Sequence, residues 1–220
     1  MKNSRSRMIV ISLLSVACML FQTSAVWAFS LNDLSSSAES AKSAAEGASM
    51  LDRAKNVYTG FYASTENLVD AQTMTMSLIN PSEGSALTSK LGDINSGSTF
   101  SRLTKLVGFS ETMDSGTTDS SLTSKLTKII TTPGSFEKAK KVYDHASTAY
   151  TSGNNSVSEA KTLYKEIKAF IASPSAKGLS ETLLSGLGDY SDKILPFIIE
   201  HGPARVKTAA HIADAFKGFL

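Results

Sequence analysis

The sequence predicts an all-α protein, an antiparallel helical bundle with long helices in the first and last thirds and shorter, glycine-broken helices between them. Three observations predict it. Apolar residues recur at steps of three and four through most of the chain, which is the helical period. Runs in which Val, Ile, Thr and aromatic residues alternate are few. No Asn-Gly or Asp-Gly pair stands between two such runs to make a hairpin.

The N-terminus has its own character. Lys2, Arg5 and Arg7 open it, and residues 8–21 form an apolar stretch interrupted by Ser12 and Ser15. That stretch falls short of the ~20 residues a stable bilayer-spanning helix needs. A short exit ends in Val26-Trp27-Ala28, with small residues where signal peptidase reads them. The expectation is a cleavable signal peptide over residues 1–28 and a single all-helical domain over residues 29–220, exported to the periplasm or the medium. Two other readings stay open. One is an uncleaved N-terminal anchor. The other is lipoprotein processing at Cys18, against which the apolar run continues to Phe21.

Removing residues 1–28 changes the charge balance. The whole chain carries 22 Lys and Arg against 20 Asp and Glu, and three of those basic residues lie in the leader with no acid beside them. The remainder has 19 against 20, a net charge of about −1. A near-neutral chain without a basic tract lacks the electrostatic footprint of a nucleic-acid binder, so no nucleic-acid partner is expected. Cys18 and Trp27, each the sole residue of its kind, also fall in the leader. The mature part has no cysteine, so an ordinary apolar core must hold it.

The first helical segment covers residues 31–62. Leu31, Leu34, Ala38, Ala41, Ala45 and Ala48 repeat at three and four as a seam made mostly of alanine. Side chains that small let a neighbouring helix, from this chain or another, come close. The helix can continue to Ile79, where Pro81 forbids extension, and Gly60 is the expected place for a break. Residues 82–132 read as helical pieces of about ten residues between Gly-, Ser- and Thr-rich turns. Leu87-Thr88-Ser89-Lys90-Leu91 recurs as Leu122-Thr123-Ser124-Lys125-Leu126, with Leu103-Thr104-Lys105-Leu106 a shortened echo. Residues 114–120 read as an exposed loop.

After Pro133-Gly134, Ser135 is placed to cap a helix reaching Tyr150. Ser152-Gly153-Asn154-Asn155 reads as a loop, and Ser156 with Glu159 as a capping box for the next helix, which Ser173-Pro174 ends. A last helix over residues 204–218 is expected to start at Gly202-Pro203. One pattern occurs three times on the long helices, as Ala54-Lys55-Asn56-Val57-Tyr58, Ala139-Lys140-Lys141-Val142-Tyr143 and Ala160-Lys161-Thr162-Leu163-Tyr164. Positions one, four and five share a helix face, so each copy should bury Ala with Val or Leu and leave its tyrosine at the margin.

Chemistry finds little support. His145, His201 and His211 are the three histidines, and Glu200-His201 or His211 with Asp214 could in principle contribute to a metal site. Zinc sites use three or four spaced ligands, however, and a histidine before Gly202-Pro203 suits the carbonyls that end a helix. Met74-Thr75-Met76, with Met50 and Met113 elsewhere, offers soft donors for copper. Alternate residues on a helix do not share a face, so packing is the expected use. The serines lie in no Gly-x-Ser-x-Gly context, Gly186-Leu187-Gly188 is a fragment of a phosphate loop, and the carboxylates are scattered. No cofactor is expected, no catalytic residue is assigned, and an enzyme is unsupported.

What remains is surface. Residues 194–199 are the most apolar run after the leader, and Phe216, Phe219 and Leu220 follow at the end. The candidate interaction surface is Ala38, Ala41, Ala45 and Ala48 with Phe197, Phe216 and Phe219. The leading expectation is an exported, non-enzymatic interaction or structural protein with a protein partner, a second copy of itself included. A membrane-active helical protein, pore-forming or lipid-binding, is the alternative, and an enzyme or metal binder the third.

Overall fold

A computed structural model describes residues 31–91, 94, 98–131 and 133–220. It divides into two units, Met1–Ala38 and Glu39–Leu220. In the first, the described residues are the opening of the first helix. The second contains all the packing that follows. The expected processing site and Cys18 lie outside the described residues.

Every regular element among the described residues is helical. They are α1 (Leu31–Ile79), α2 (Pro81–Leu91), α3 (Thr99–Thr112), α4 (Asp114–Thr117), α5 (Leu122–Ile129), α6 (Pro133–Ala172), α7 (Glu181–Asp189) and α8 (Leu195–Lys217). A 3-10 turn, Pro174–Gly178, follows α6, and a π-helical turn, Tyr190–Ile194, leads into α8. The fold is an all-α bundle. Pro81 and Pro174 act where expected: α1 stops at Ile79, two residues before the first, and α6 at Ala172, two residues before the second.

Pairings along the long helices give their directions. Arg53, Gly60, Ser64 and Asn67 on α1 meet Glu166, Ser156, Ala149 and His145 on α6. The numbers fall on α6 as they climb on α1, so the two run antiparallel. Gly153 and Val157 of α6 lie beside Val206 and Gly202 of α8, so that pair is antiparallel too.

Two apolar clusters fill the bundle in sequence along its length. The first gathers Ala54, Val57 and Phe61 of α1 with Leu163, Ile167, Leu187, Leu195 and Ile198. The second gathers Leu68 and Ala71 with Leu122, Leu126, Val142, Ala146, Ile212 and Phe216. A smaller third holds Val69, Ile94, Leu106 and Met113. Each large side chain that is fully buried contributes about 1.5–3 kcal/mol. The three repeated pentapeptides behave as expected. Ala54, Ala139 and Ala160 are fully buried, as are Val142 and Leu163, while Tyr58, Tyr143 and Tyr164 lie half-buried against the clusters.

Between the first two clusters lies a layer of small and polar residues: Ser64 and Thr65 on α1, Gly153 and Ser156 on α6, Gly202 and Arg205 on α8. Here four expectations are corrected. Helix α1 does not break at Gly60, because the missing side chain admits Ser156, whose Oγ would lie 2.8 Å from a Cβ there. The loop expected at residues 152–155 is helix: a Cβ on Gly153 would lie 2.6 Å from Ser64 Oγ and 3.1 Å from Val206 Cγ2, so glycine marks close approach rather than a turn. Ser156 is therefore buried in mid-helix instead of capping, and Glu159 turns to Arg53. Likewise α8 begins at Leu195, not Ala204, and carries Pro203 inside it. Proline in a helix interior costs about 3 kcal/mol. Burial of Ile198, Gly202, Ile212 and Phe216 along that same helix offsets the cost.

Helix α6 likewise starts at Pro133 rather than at a Ser135 cap, with proline in the first turn where its missing N–H costs nothing.

Candidate functional site

The seven residues of the expected interaction surface divide into two groups. Ala41, Ala45 and Ala48 are exposed along α1, and Ala38, in the first unit, is exposed as well. The face that α1 turns to the bundle is a different one, running through Ser43, Gly47, Ala54, Val57 and Phe61. Gly47 supplies the close approach expected of the alanines: a Cβ there would lie 3.1 Å from both Leu183 and Phe170 side chains. Among the described residues, Ala41, Ala45 and Ala48 therefore make no buried contact with the bundle.

The aromatic part of the expected surface is mostly core. Phe216 is fully buried in the second apolar cluster, which removes it from any surface. Phe219 packs partly buried against the same cluster, and Phe197 against the first, edge-on to Phe100 at 5.5 Å between centroids. Of residues 194–199, Ile194, Leu195 and Ile198 are buried. The other three, Pro196, Phe197 and Ile199, are half-buried, so the run does not form an open apolar patch.

The most elaborate polar arrangement is one that sequence reading missed. Residues 114–120 do not form an exposed loop; they open with α4, and Asp114 reaches into the polar layer. Arg205 of α8 is 95% buried, and its Nη1 donates to Asp114 Oδ1 at 3.0 Å and to Ser110 Oγ at 3.0 Å. Its Nη2 donates to Asp114 Oδ2. Gln72 of α1 donates through Nε2 to Asp114 Oδ1 at 3.1 Å and to the Ser110 carbonyl at 3.1 Å, and accepts from Ser110 Oγ at 2.7 Å. Thr208 Oγ1 adds a longer bond to Asp114 at 3.3 Å. Three elements, α1, the α3–α4 junction and α8, are thereby tied at one point. A signal for it exists. Arg205 sits on the stripe Ile198, Gly202, Arg205, Ala209, Ile212, Phe216, and a guanidinium on a buried stripe demands a counter-charge.

The histidines do not gather. His145 Nδ1 faces Asn67 Oδ1 at 2.9 Å on α1, with Asp70 Oδ2 at 3.9 Å. His201 pairs with Glu111 of α3 at 3.3 Å and stacks on Phe197 at 4.3 Å, rather than meeting Glu200 or His211. His211 is separate, with its Nε2 buried. Among the described residues no three His, Cys, Asp or Glu side chains come together as a metal would require. Burial pushes the Asp70 carboxyl above the usual carboxylate range, against the pull of His145.

Elsewhere the charges join helices. Arg53 of α1 donates to Glu159 at 3.0 Å and to Glu166 at 2.6 Å on α6, and these bonds raise its pKa above the ordinary arginine value. Lys168 of α6 donates to Asp192 at 2.5 Å, which holds that carboxyl below its usual range. Such exposed pairs fix register more than they stabilise.

No protein-family model matches the sequence, and no curated protein or solved structure matches it either.

Proposed function

We propose that this chain is an exported, non-enzymatic helical protein that acts by protein contact, with a second copy of itself as the first partner to test. One observation carries the reading: α1 has two seams. Its inner seam of Ser43, Gly47, Ala54, Val57 and Phe61 is used by the bundle, while its outer seam of Ala41, Ala45 and Ala48 keeps the three-four spacing of a helix contact and faces away. Alanine has high helix propensity, which serves α1 either way. A row of small side chains at this spacing additionally suits close helix packing. Export is supported by the composition of residues 1–28, from the basic start to Val26-Trp27-Ala28.

Sedimentation equilibrium over a wide concentration range tests self-association. A monomer at every concentration would remove the second-copy form of the proposal. A membrane-active role is the second reading of the sequence. It would draw on residues 194–199 with Phe216, Phe219 and Leu220, and the burial of Ile194, Leu195, Ile198 and Phe216 among them makes it the weaker of the two. No described helix is long and apolar enough to cross a membrane, so such a role would need the bundle to rearrange. Leakage of dye from loaded liposomes tests it.

A further inference from the structure

Helix α7 carries two apolar stripes, and the bundle takes one of them. Leu183 and Leu187, four residues apart, make the inner stripe: Leu187 is fully buried in the first cluster, and Leu183 closes over Gly47. Leu184 and Gly188, also four apart, make the stripe beside it, and Leu184 belongs to none of the three apolar clusters. Across from this second stripe is the end of α6, where Lys168, Ile171 and Ala172 share a face. Between the two lies a groove of about 450 Å³. Ile171 packs on the first cluster and also lines the groove, so the trough continues the core outward. Gly188 keeps it open, since a Cβ there would meet nothing within 4 Å.

The charges that line the groove are unequal. Lys168 and Lys177 stand there with one carboxylate, Asp192. That carboxylate is already taken: it accepts from Lys168 at 2.5 Å and from the Ser191 hydroxyl at 3.2 Å. Lys177, in the 3-10 turn after α6, has no partner among the described residues. The hydroxyl of Ser173, the other polar group of the lining, donates to the Phe170 carbonyl at 2.7 Å. The unanswered charge at the groove is therefore an ammonium.

We propose that this groove binds a single-chain carboxylate amphiphile, a free fatty acid, with its carboxylate at Lys177 and its chain along Ile171, Leu184 and Gly188. Charge and shape select that class together. The free ammonium calls for an anion, and the apolar trough beside it calls for a hydrocarbon chain rather than a compact anion. The volume falls within the range of small-molecule sites and admits one chain, not the two of a membrane lipid. Each methylene fully withdrawn from water should raise the affinity by up to about fourfold, so chain length matters as much as charge. The site is independent of whether the outer face of α1 self-associates.

The test titrates the full chain with dodecanoate below its micellar concentration and follows the methyl resonances of isoleucine and leucine. Those of Ile171 and Leu184 should shift together and saturate near one equivalent, while those of Leu122 and Leu126 in the second cluster stay in place. Octanoate should bind at least tenfold more weakly. So should dodecyltrimethylammonium, which has the same chain and the opposite charge. Gly188→Leu grows into the groove from a Cβ that meets nothing, so it should weaken dodecanoate binding at least tenfold with the melting temperature kept. Lys177→Gln should narrow the preference for the carboxylate over the ammonium. No saturable shift at Ile171 and Leu184, equal binding of the two charges, or a Gly188→Leu chain that binds as the parent does overturns the proposal. So does a chain that sediments with phosphatidylcholine–phosphatidylglycerol vesicles and leaves monomeric dodecanoate unbound, because the groove would then belong to a membrane-facing surface. Should a variant fold poorly, the parent's residue-resolved shifts with the two oppositely charged probes still decide.

Discussion

Arg205 and Asp114 meet 91 residues apart in sequence, and their two-point contact is where the short-helix layer is fastened to the long-helix bundle. Asp114 stands at the start of α4, Ser110 Oγ accepts a further bond from the guanidinium, and Gln72 in turn holds Ser110 and Asp114. Removing one member of a buried pair costs far more than the pair itself contributes, since the other charge is stranded. Asp114→Ala should therefore destabilise the protein by about 3–5 kcal/mol. Joint replacement by Arg205→Met and Asp114→Leu should recover most of that loss. Urea unfolding of the three variants checks it, and an Asp114→Ala protein as stable as the parent would show that the pair is merely solvated.

The glycines give a second prediction, with opposite signs at different sites. Gly153→Ala would press a Cβ on Ser64, whose hydroxyl is already committed to the Ala149 carbonyl at 2.7 Å, and on Val206. Overpacking of that kind costs about 1–3 kcal/mol, more than the gain of up to ~1 kcal/mol from helix propensity. Gly108 and Gly188 lie in α3 and α7 with nothing within 4 Å of an added Cβ. Gly108→Ala and Gly188→Ala should each raise stability by up to ~1 kcal/mol. Thermal unfolding distinguishes the two classes, and equal effects at all three sites would refute the close-approach account.

These same positions explain what could be read in advance. Fold class, the prolines that end α1 and α6, and the buried face of each Ala-x-x-Val/Leu-Tyr pattern depend on spacing within a turn or two. Local sequence carries that information in full. Gly60, Gly153 and Gly202 look like breaks for the same reason, because a weak helix former is all that a local window contains. Their real role depends on Ser156, Ser64 and Val157, which lie on other helices. Asp114 resembles a loop residue until Arg205 is beside it. The alanine seam was legible as a pattern, but which of two competing stripes α1 would bury was decided by larger neighbours: Phe170 and Leu183 close over Gly47, and no alanine offers them as much room.

Asp70 supplies a prediction about pH. Burial raises its carboxyl pKa in the folded state above the ordinary aspartate value of 3.8, so the folded protein holds that proton more tightly than the unfolded chain. The charged form is then a burden at neutral pH. It is relieved as pH falls through the folded pKa, and fully so below 3.8. Asp70→Asn should raise the melting temperature at pH 7, with the advantage shrinking towards pH 4. His145 opposes the burial effect, and the Asp70→Asn advantage should be larger in a His145→Gln background. A variant less stable than the parent at pH 7 would mean that the His145 contact outweighs burial.

Processing can be checked by mass. If residues 1–28 are a cleaved leader, as proposed, the small residues Val26 and Ala28 put the cut before Phe29, and the mature protein should begin there. A mass corresponding to lipidated Cys18, or to an intact Met1, would replace the cleaved leader with one of the anchored forms.

The last prediction concerns the outer face of α1. Ala41 and Ala45 are exposed, so larger side chains there should disturb no packing among the described residues and should leave the melting temperature unchanged. Glutamine is suitable at both positions: it keeps nearly the helix propensity of alanine, adds no charge, and carries enough bulk to hold a facing helix away. If the outer seam is the contact between copies, Ala41→Gln with Ala45→Gln should yield a folded monomer under conditions where the parent is an oligomer. A glutamine on the inner face would behave differently. Gly47→Gln, which drives a side chain against Phe170 and Leu183, should lower stability whatever the oligomeric state. Sedimentation and thermal unfolding of the outer and inner variants together separate association from folding. An outer variant that associates as the parent does would leave the alanines explained by helix propensity alone, and the partner surface would have to be sought on another helix.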